Sequence, residues 1–513
     1  MESGGRILTR EWPKDPDQLA LLSEPRDDVL LEEALEPTDP SVLEFAQEDG
    51  PFTTYGRQVE IREDALIETT SYRVIIPWFR WLFRWPVQRV LTRHISYRSW
   101  WAPPDRLDAT QVLVLGLLAA ASMSAAFVNT LFTQTVNFAA DEFGINDTGI
   151  GIAGAVVRGG ILIALPAAML ADRIGRRRVI VTIAWLGPLL SLLGAFAPSF
   201  AILVLTQTLA RPMGIALAFL VGVVAAEEMP RNSRAYAISI LAMAAGFGAG
   251  IAVLSLRLAD IGAGGWRLVY VISIVWCIVA LDLTRRLPET RRFEAVQVRA
   301  RERPPRLNRR RFALLATVAF AGNIFIAPAS FFQNRYLTDI HDFSGGMIGI
   351  FSIAVGTPAS IGLILGGRIA DTRGRRRLIA IALPASTAAV IGAYMASGPP
   401  LWMLSLMGAM LGSAAYPALA VYRAELFPTE NRSRATGFIT GAALIGGMGG
   451  LIATGRLLDA DWSYGSVMAL MAIGQVIVTV LVITAYPETA HLTLETLNPE
   501  DPPINLHDEK PRL

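Results

Sequence analysis

Between residues 111 and 486 the chain carries twelve apolar runs, each close to 20 residues long, and this constrains its fold more than anything else. They occupy 111–134, 149–170, 179–196, 201–226, 235–256 and 266–283, then 312–332, 347–369, 378–396, 401–421, 436–454 and 467–486. About 20 apolar residues wound as a helix cross the hydrocarbon of a bilayer. Twelve such helices buried in a soluble protein would need a large polar shell. Only 18% of the residues are charged, against roughly 25% in soluble domains. The sequence therefore predicts an all-α membrane protein with twelve transmembrane helices.

Arginine placement sets the expected orientation. The loops after the second, fourth, sixth, eighth and tenth runs hold 4, 2, 11, 4 and 3 arginines. The alternate loops hold only Arg257, Arg267, Arg335 and Arg456. By the positive-inside rule both termini face the cytoplasm of a plasma membrane. Residues 1–11 lack the apolar core of a signal peptide.

The chain before the first run splits by charge. Residues 1–70 hold 18 acidic and 6 basic side chains and show weak periodicity, so they are expected to form a disordered acidic cytoplasmic tail, either a solvated linker or a docking segment. Residues 71–107 contain PWFRWLFRWPVQRVLTRH, in which aromatics flank Arg80 and Arg84. That mixture suits a membrane–water interface, and a short packed helix is the alternative. The remaining expected units are a six-helix bundle over 108–284, a cytoplasmic linker over 285–311, a second bundle over 312–487 and a tail over 488–513.

Chemistry-bearing clusters are missing from the sequence pattern. One cysteine, Cys277, permits no internal disulfide, and the four histidines are scattered without metal-ligand spacing. No nucleophile–base constellation or phosphate loop is evident. The reading predicts no enzymatic activity, no cofactor, no metal and no nucleic-acid partner; the partners are the lipid bilayer and a small-molecule solute.

The chain repeats itself at an offset near 199. ADRIGRRRVI (171–180) matches ADTRGRRRLI (370–379), EEMPRNSR (227–234) matches ELFPTENR (425–432), and LPET (287–290) matches YPET (486–489). Each pair falls at the same point of its six-helix half. Two six-helix repeats around a midplane site are a transporter arrangement.

At these residues the chain resembles the major facilitator superfamily, in its sugar-porter-like, metabolite-transporting branch, over about 108–497. The loop signature stands as Asp172, Gly175, Arg176 and Arg177, and again as Asp371, Gly374, Arg375 and Arg376; Ala168 departs from the glycine that opens it. The E-x6-R signature stands as Glu227/Arg234 and Glu425/Arg432, and the PET signature includes Glu289 and Glu488. The resemblance implies two pseudo-symmetric six-helix bundles, a monomer, and a gating role for these residues through pairing across the cytoplasmic ends of the bundles. Simple anchoring by the arginine triplets 176–178 and 375–377 is the competing reading.

Ionisable groups inside a spanning helix are costly and point to function. Two stand near mid-depth, Arg158 in the second run and Arg211 in the fourth, and no carboxylate stands at that depth. Unmatched cations favour an anionic substrate that supplies the missing charge. A structural arginine on backbone carbonyls, or a side chain that snorkels, is the alternative for each. Further candidate substrate contacts are Asn129 and Gln134 in the first run, Gln207 in the fourth, Asn323 in the seventh and Tyr416 in the tenth, each of which also reads as interhelical glue. The expected function is secondary active or facilitative transport of a small organic, anionic solute by alternating access. Efflux of hydrophobic or amphipathic compounds and a non-transporting membrane sensor remain open alternatives.

Overall fold

The computed structural model describes residues 5–36, 39–74, 76–94, 103, 105–163, 170–171, 174–230, 233–289, 308–427 and 429–489. The first of these segments overturn an expectation, because the acidic region is folded. It forms an antiparallel sheet of β1 (Arg6–Pro13), β2 (Leu31–Ala34), β3 (Val42–Asp49), β4 (Phe52–Ile61) and β5 (Ala65–Val74), in the spatial order β1-β5-β4-β3-β2. Helices α1 (Pro16–Ser23) and α2 (Arg80–Arg93) cover it.

The physical reason lies in what alternates along β5: Leu66, Glu68, Thr70 and Tyr72 are all buried. Two of these inward positions are polar, and Arg57 on β4 is a third. The period of two is present in burial and hidden in hydropathy. Apolar contacts complete the layer on either side of this polar centre. Leu22 of α1 packs with Phe45, Val59 and Leu66; Val87 and Leu91 of α2 pack with Leu30, Phe52 and Tyr72.

Three of the acids, Asp28, Glu32 and Glu68, are buried and paired. Arg57, fully buried, donates from Nη2 to Glu32 Oε2 at 2.6 Å and from Nε to Glu32 Oε1 at 2.9 Å. Its remaining donors reach the Leu22 and Glu24 carbonyls at the end of α1, at 2.9 and 3.0 Å. Arg26 donates to the Val90 and Leu91 carbonyls at the end of α2, both at 2.8 Å, and pairs with Asp28 at 2.7 Å. His94, left-handed at φ 43°, ends α2 and meets Glu68 at 2.5 Å. Thus cations from the sheet layer satisfy the orphan carbonyls of both helices.

Eleven helices among the described residues are long and apolar enough to cross a membrane. They are the first (Ala109–Phe143), third (Arg176–Gly194), fourth (Phe200–Glu228), fifth (Arg234–Leu254), sixth (Trp266–Arg286), seventh (Arg309–Phe331), eighth (Gly345–Arg373), ninth (Arg375–Ala393), tenth (Pro399–Glu425), eleventh (Thr429–Asp459) and twelfth (Tyr464–Ala485). The second expected span begins as a helix over Asp147–Gly159 and tightens to a 3-10 turn over Gly160–Ile163. Residues 164–169 lie outside the described set. Several helices outrun their apolar cores because polar caps extend them. Asp108 and Gln111 form a capping box at the start of the first, and Gly144, at φ 65°, closes its end.

Within each half, glycines let backbones touch. A Cβ on Gly248 of the fifth helix would lie 2.0 Å from the Met123 carbonyl of the first. One on Gly446 of the eleventh would lie 2.1 Å from the Phe320 carbonyl of the seventh. The sheet domain docks at the arginine-rich end of the first half. Trp78 donates to Asp282 Oδ2 at 3.2 Å, the Asp105 N–H to Ser233 Oγ at 2.9 Å, and Pro77 fills the space a side chain at Gly116 would need.

The buried pair yields a test. Arg57→Ala strands Glu32 in the core and should cost about 3–5 kcal/mol. In limited proteolysis of the full-length protein, the segment before residue 95 should be protected in the wild type and cleaved in the variant. Burial pushes the Glu68 carboxyl up, but its hydrogen bond and charge interaction with His94, and the Arg57 charge, pull it below the ordinary value. A depressed native pKa stabilises above the ordinary carboxylate range, so protection should hold at neutral pH and weaken as pH falls below about 4.

Candidate functional site

Arg158 stands in the last turn of the second helix, beside the Gly159–Gly160 pair where that helix tightens. Its guanidinium reaches the other half of the molecule. A Cβ on Gly447 of the eleventh helix would lie 2.6 Å from Arg158 Nη1, with Ala327 of the seventh helix adjacent. Glycine at 447 is therefore what admits the cation. Gly160 packs on Thr208 and Pro212 of the fourth helix, which brings Arg211 toward Arg158; the two positive charges repel. Neither guanidinium has a hydrogen bond or an ion pair with any described residue. Asn129 of the first helix lies against Gly214 of the fourth, one turn from Arg211, and its buried Oδ1 has no partner. Arg158, Arg211 and Asn129 thus bring unmet polar groups together from the second, fourth and first helices.

The other candidates fall elsewhere. Gln207 is wholly buried inside the first half, against Gly194 of the third helix and Tyr270 of the sixth, away from the seam between halves. Gln134 accepts from Asn334 Nδ2 at 2.8 Å near the opposite end of the first helix. Asn323 donates to the Ala319 carbonyl of its own helix at 3.0 Å. Tyr416 is 66% exposed and has no hydrogen bond among the described residues.

At the arginine-rich end the repeated motifs do something local. Gly175 and Gly374, at φ 106° and 101°, turn the chain into the third and ninth helices. The N–H groups that open the third helix, on Arg176 and Arg177, donate to Glu289 Oε1 at 3.0 and 3.1 Å. Those of Arg375 and Arg376 donate to the Glu488 carboxylate at 3.0 and 3.1 Å. Arg177 also reaches the Leu287 carbonyl at 2.6 Å, and Arg375 reaches Thr489 Oγ1 at 2.8 Å. These contacts join the segments that follow the sixth and twelfth helices to helices of the same half. A carboxylate at a helix N-terminus meets orphan donors and the positive end of the dipole, which explains the choice of partner. Asp172 lies outside the described residues, as do the side chains of Glu227, Arg234, Asp371, Glu425 and Arg432.

The halves are held together at the opposite end, by residues the sequence reading missed. Asp459, ending the eleventh helix, accepts from the Asp147 and Thr148 N–H groups that open the second, at 3.0 and 2.9 Å. Asp260, beyond the fifth helix, accepts from the Gly345 and Gly346 N–H groups that open the eighth, at 2.6 and 2.9 Å. Arg335 pairs with Asp141 and, at 3.3 Å, with Asp147. The signal was available, because Asp459 stands 199 residues after Asp260, the same offset that relates the loop motifs.

With this geometry in view, the family can be stated. The model of the Major Facilitator Superfamily matches residues 117–408 and 312–506, and the chain belongs to that family. It is a membrane transporter by family, and small-solute transport is the activity that membership supports. The chain is 26% identical to the probable 4-methylmuconolactone transporter of Cupriavidus pinatubonensis (strain JMP 134 / LMG 1197) over 359 residues, 65% of this chain and 80% of the relative. Its fold resembles a bacterial homolog of the human lysosomal transporter Spinster in an inward-facing, occupied conformation. There the TM-score is 0.61 at 19% identity, covering 73% of this chain and 97% of that one. It also resembles the inward-open xylose transporter XylE from E. coli, with TM-score 0.61 at 16% identity over 76% and 98% of the two chains.

The capping carboxylates can be tested by accessibility. In a Cys277→Ser background, a Thr148→Cys reporter should be poorly labelled by a bulky maleimide. Asp260→Asn with Asp459→Asn should raise its labelling rate several-fold by loosening the seam.

Proposed function

We propose that the chain moves a small organic anion across the membrane by alternating access, with Arg158 and Arg211 as the groups that bind it. The observation that carries this reading is the pair of guanidiniums, which repel each other and lack hydrogen-bond and ion-pair partners at the seam between halves. Leaving charge unmet in a low-dielectric region is expensive, and an anion that accepts hydrogen bonds from both offsets that cost. The structural alternative, an arginine held on backbone carbonyls, requires bonds that neither side chain makes. Asn129 adds a polar group beside them.

The named relative supports the substrate class, since a muconolactone bears a carboxylate on a small organic frame. A carboxylate of this size fits two convergent guanidiniums better than an apolar efflux substrate would. With both termini in the cytoplasm of the plasma membrane, the seam closed by Asp260, Asp459 and Arg335 faces outward. The arginine-rich end faces the cytoplasm.

The test is a thermal-unfolding screen of purified protein against solutes grouped by charge. A ligand at 100 times its dissociation constant should add about 2.7 kcal/mol. Small carboxylates should stabilise the wild type, and Arg158→Gln and Arg211→Gln should each lose both that response and transport while retaining the unliganded unfolding midpoint. Stabilisation by neutral solutes alone, unchanged in both variants, would overturn the assignment.

A further inference from the structure

Where the sheet domain meets the membrane helices, two cavities share a wall, and their linings differ in kind. One is a slot of about 130 Å³ between α2 and the first and fifth helices, and its walls are almost wholly apolar: Phe79, Phe83, Leu115, Ala119, Ala244 and Phe247. A slot with this lining offers water few hydrogen-bond partners, and it is smaller than the pockets that take compact drug-sized ligands. Along the membrane helices it extends from Val112 to Ala119 and from Tyr236 to Phe247, about 10–16 Å from their arginine-rich ends. The other cavity, of about 530 Å³, is cationic, lined by Arg6, Arg80 and Arg84 with Trp78 and Trp81. Val74, Phe83 and Val87 line both, so the two lie side by side.

Taken together they make an elongated apolar slot with a basic mouth. The guanidiniums of Arg6 and Arg84 have no hydrogen-bond or ion-pair partner among the described residues. Trp78, which lines the mouth, donates to Asp282 near the arginine-rich end of the sixth helix. On α2, Trp81 and Trp85 are 74% and 66% exposed, side chains suited to a bilayer's headgroup layer. The apolar slot lies beside the first and fifth helices, both long and apolar enough to cross a membrane.

We propose that this seam binds one anionic phospholipid of the adjoining leaflet, its phosphate at Arg6, Arg80 and Arg84 and one acyl chain in the slot beside Phe83, Leu115 and Ala244. The charge of the mouth selects an anionic headgroup over a zwitterionic one, and the narrow slot selects a chain over a ring system. The lipid then fills the joint between the sheet domain and the first half of the transporter. It is not the transported solute, whose candidate groups lie at the seam between halves.

The experiment uses the full-length protein, stripped of lipid in detergent and titrated in mixed micelles. Its readout is the unfolding midpoint. Dioleoyl-phosphatidylglycerol should raise the midpoint saturably, dioleoyl-phosphatidylcholine should need at least tenfold more lipid, and inorganic phosphate should have no effect. Arg6→Gln with Arg84→Gln should weaken the phosphatidylglycerol response at least tenfold and leave the lipid-free midpoint unchanged. Ala244→Trp, which fills the slot, should abolish the response. Should that variant fail to fold, phosphatidylglycerol with a photoactivatable acyl chain should crosslink the wild type within 79–87 or 112–119. Equal responses to the two phospholipids, a full response to phosphate alone, an unchanged response in the arginine variant, or no adduct in those segments would overturn the proposal.

Discussion

A helix that begins at a membrane surface presents four N–H groups with nothing in the helix to receive them. Among the described residues four such beginnings are closed by carboxylates from elsewhere in the chain. Glu289 closes the third, Glu488 the ninth, Asp459 the second and Asp260 the eighth. Charge-assisted bonds of this kind contribute about 1.5–3 kcal/mol each. They also fix which helix neighbours which. The four fall into two pairs separated by 199 residues, so the internal repeat of the sequence is a repeat of capping chemistry as much as of hydropathy. At the arginine-rich end the caps tie each half to itself; at the opposite end they tie one half to the other.

That difference shapes the centre of the molecule. With the halves joined at one end by Asp260, Asp459 and Arg335, the second and eleventh helices come close enough for Gly151 and Gly455 to meet facing backbones. Arg158, two turns further along its helix, reaches across to Gly447. The same crossing that seals one end delivers a cation to the middle. The glycines on the eleventh helix serve both purposes, admitting a backbone at 455 and a guanidinium at 447.

Much of this was legible in the sequence, and what was not has identifiable causes. The twelve apolar runs, the two halves and Arg158 and Arg211 as the conspicuous buried charges follow from hydropathy and the cost of charge in a membrane. The folded acidic domain did not, because its inward positions include Arg57, Glu32 and Glu68, so alternation of burial is not alternation of polarity. Composition recorded the acids and not their buried arginine partners, which lie up to 25 residues away in sequence. Gln134 and Gln207 look alike as polar residues in apolar runs, and only helix rotation separates one at the seam from one buried within a half. Asp260 and Asp459 carry no local spacing signature, because a cap between helices joins residues far apart in sequence.

The sheet domain touches the membrane helices through Trp78, Pro77 and Asp105, and each of these described contacts is with the first half. The two halves are therefore unequal in mass and in footing. One is a six-helix bundle weighted by a folded domain and by a tryptophan-studded helix; its counterpart carries no such attachment among the described residues. When two bodies rock about a shared seam, the one with the larger drag and the broader base turns less. In the proposed alternating-access cycle the first half would be the stator and the second the rotor, although their helices derive from one repeated plan.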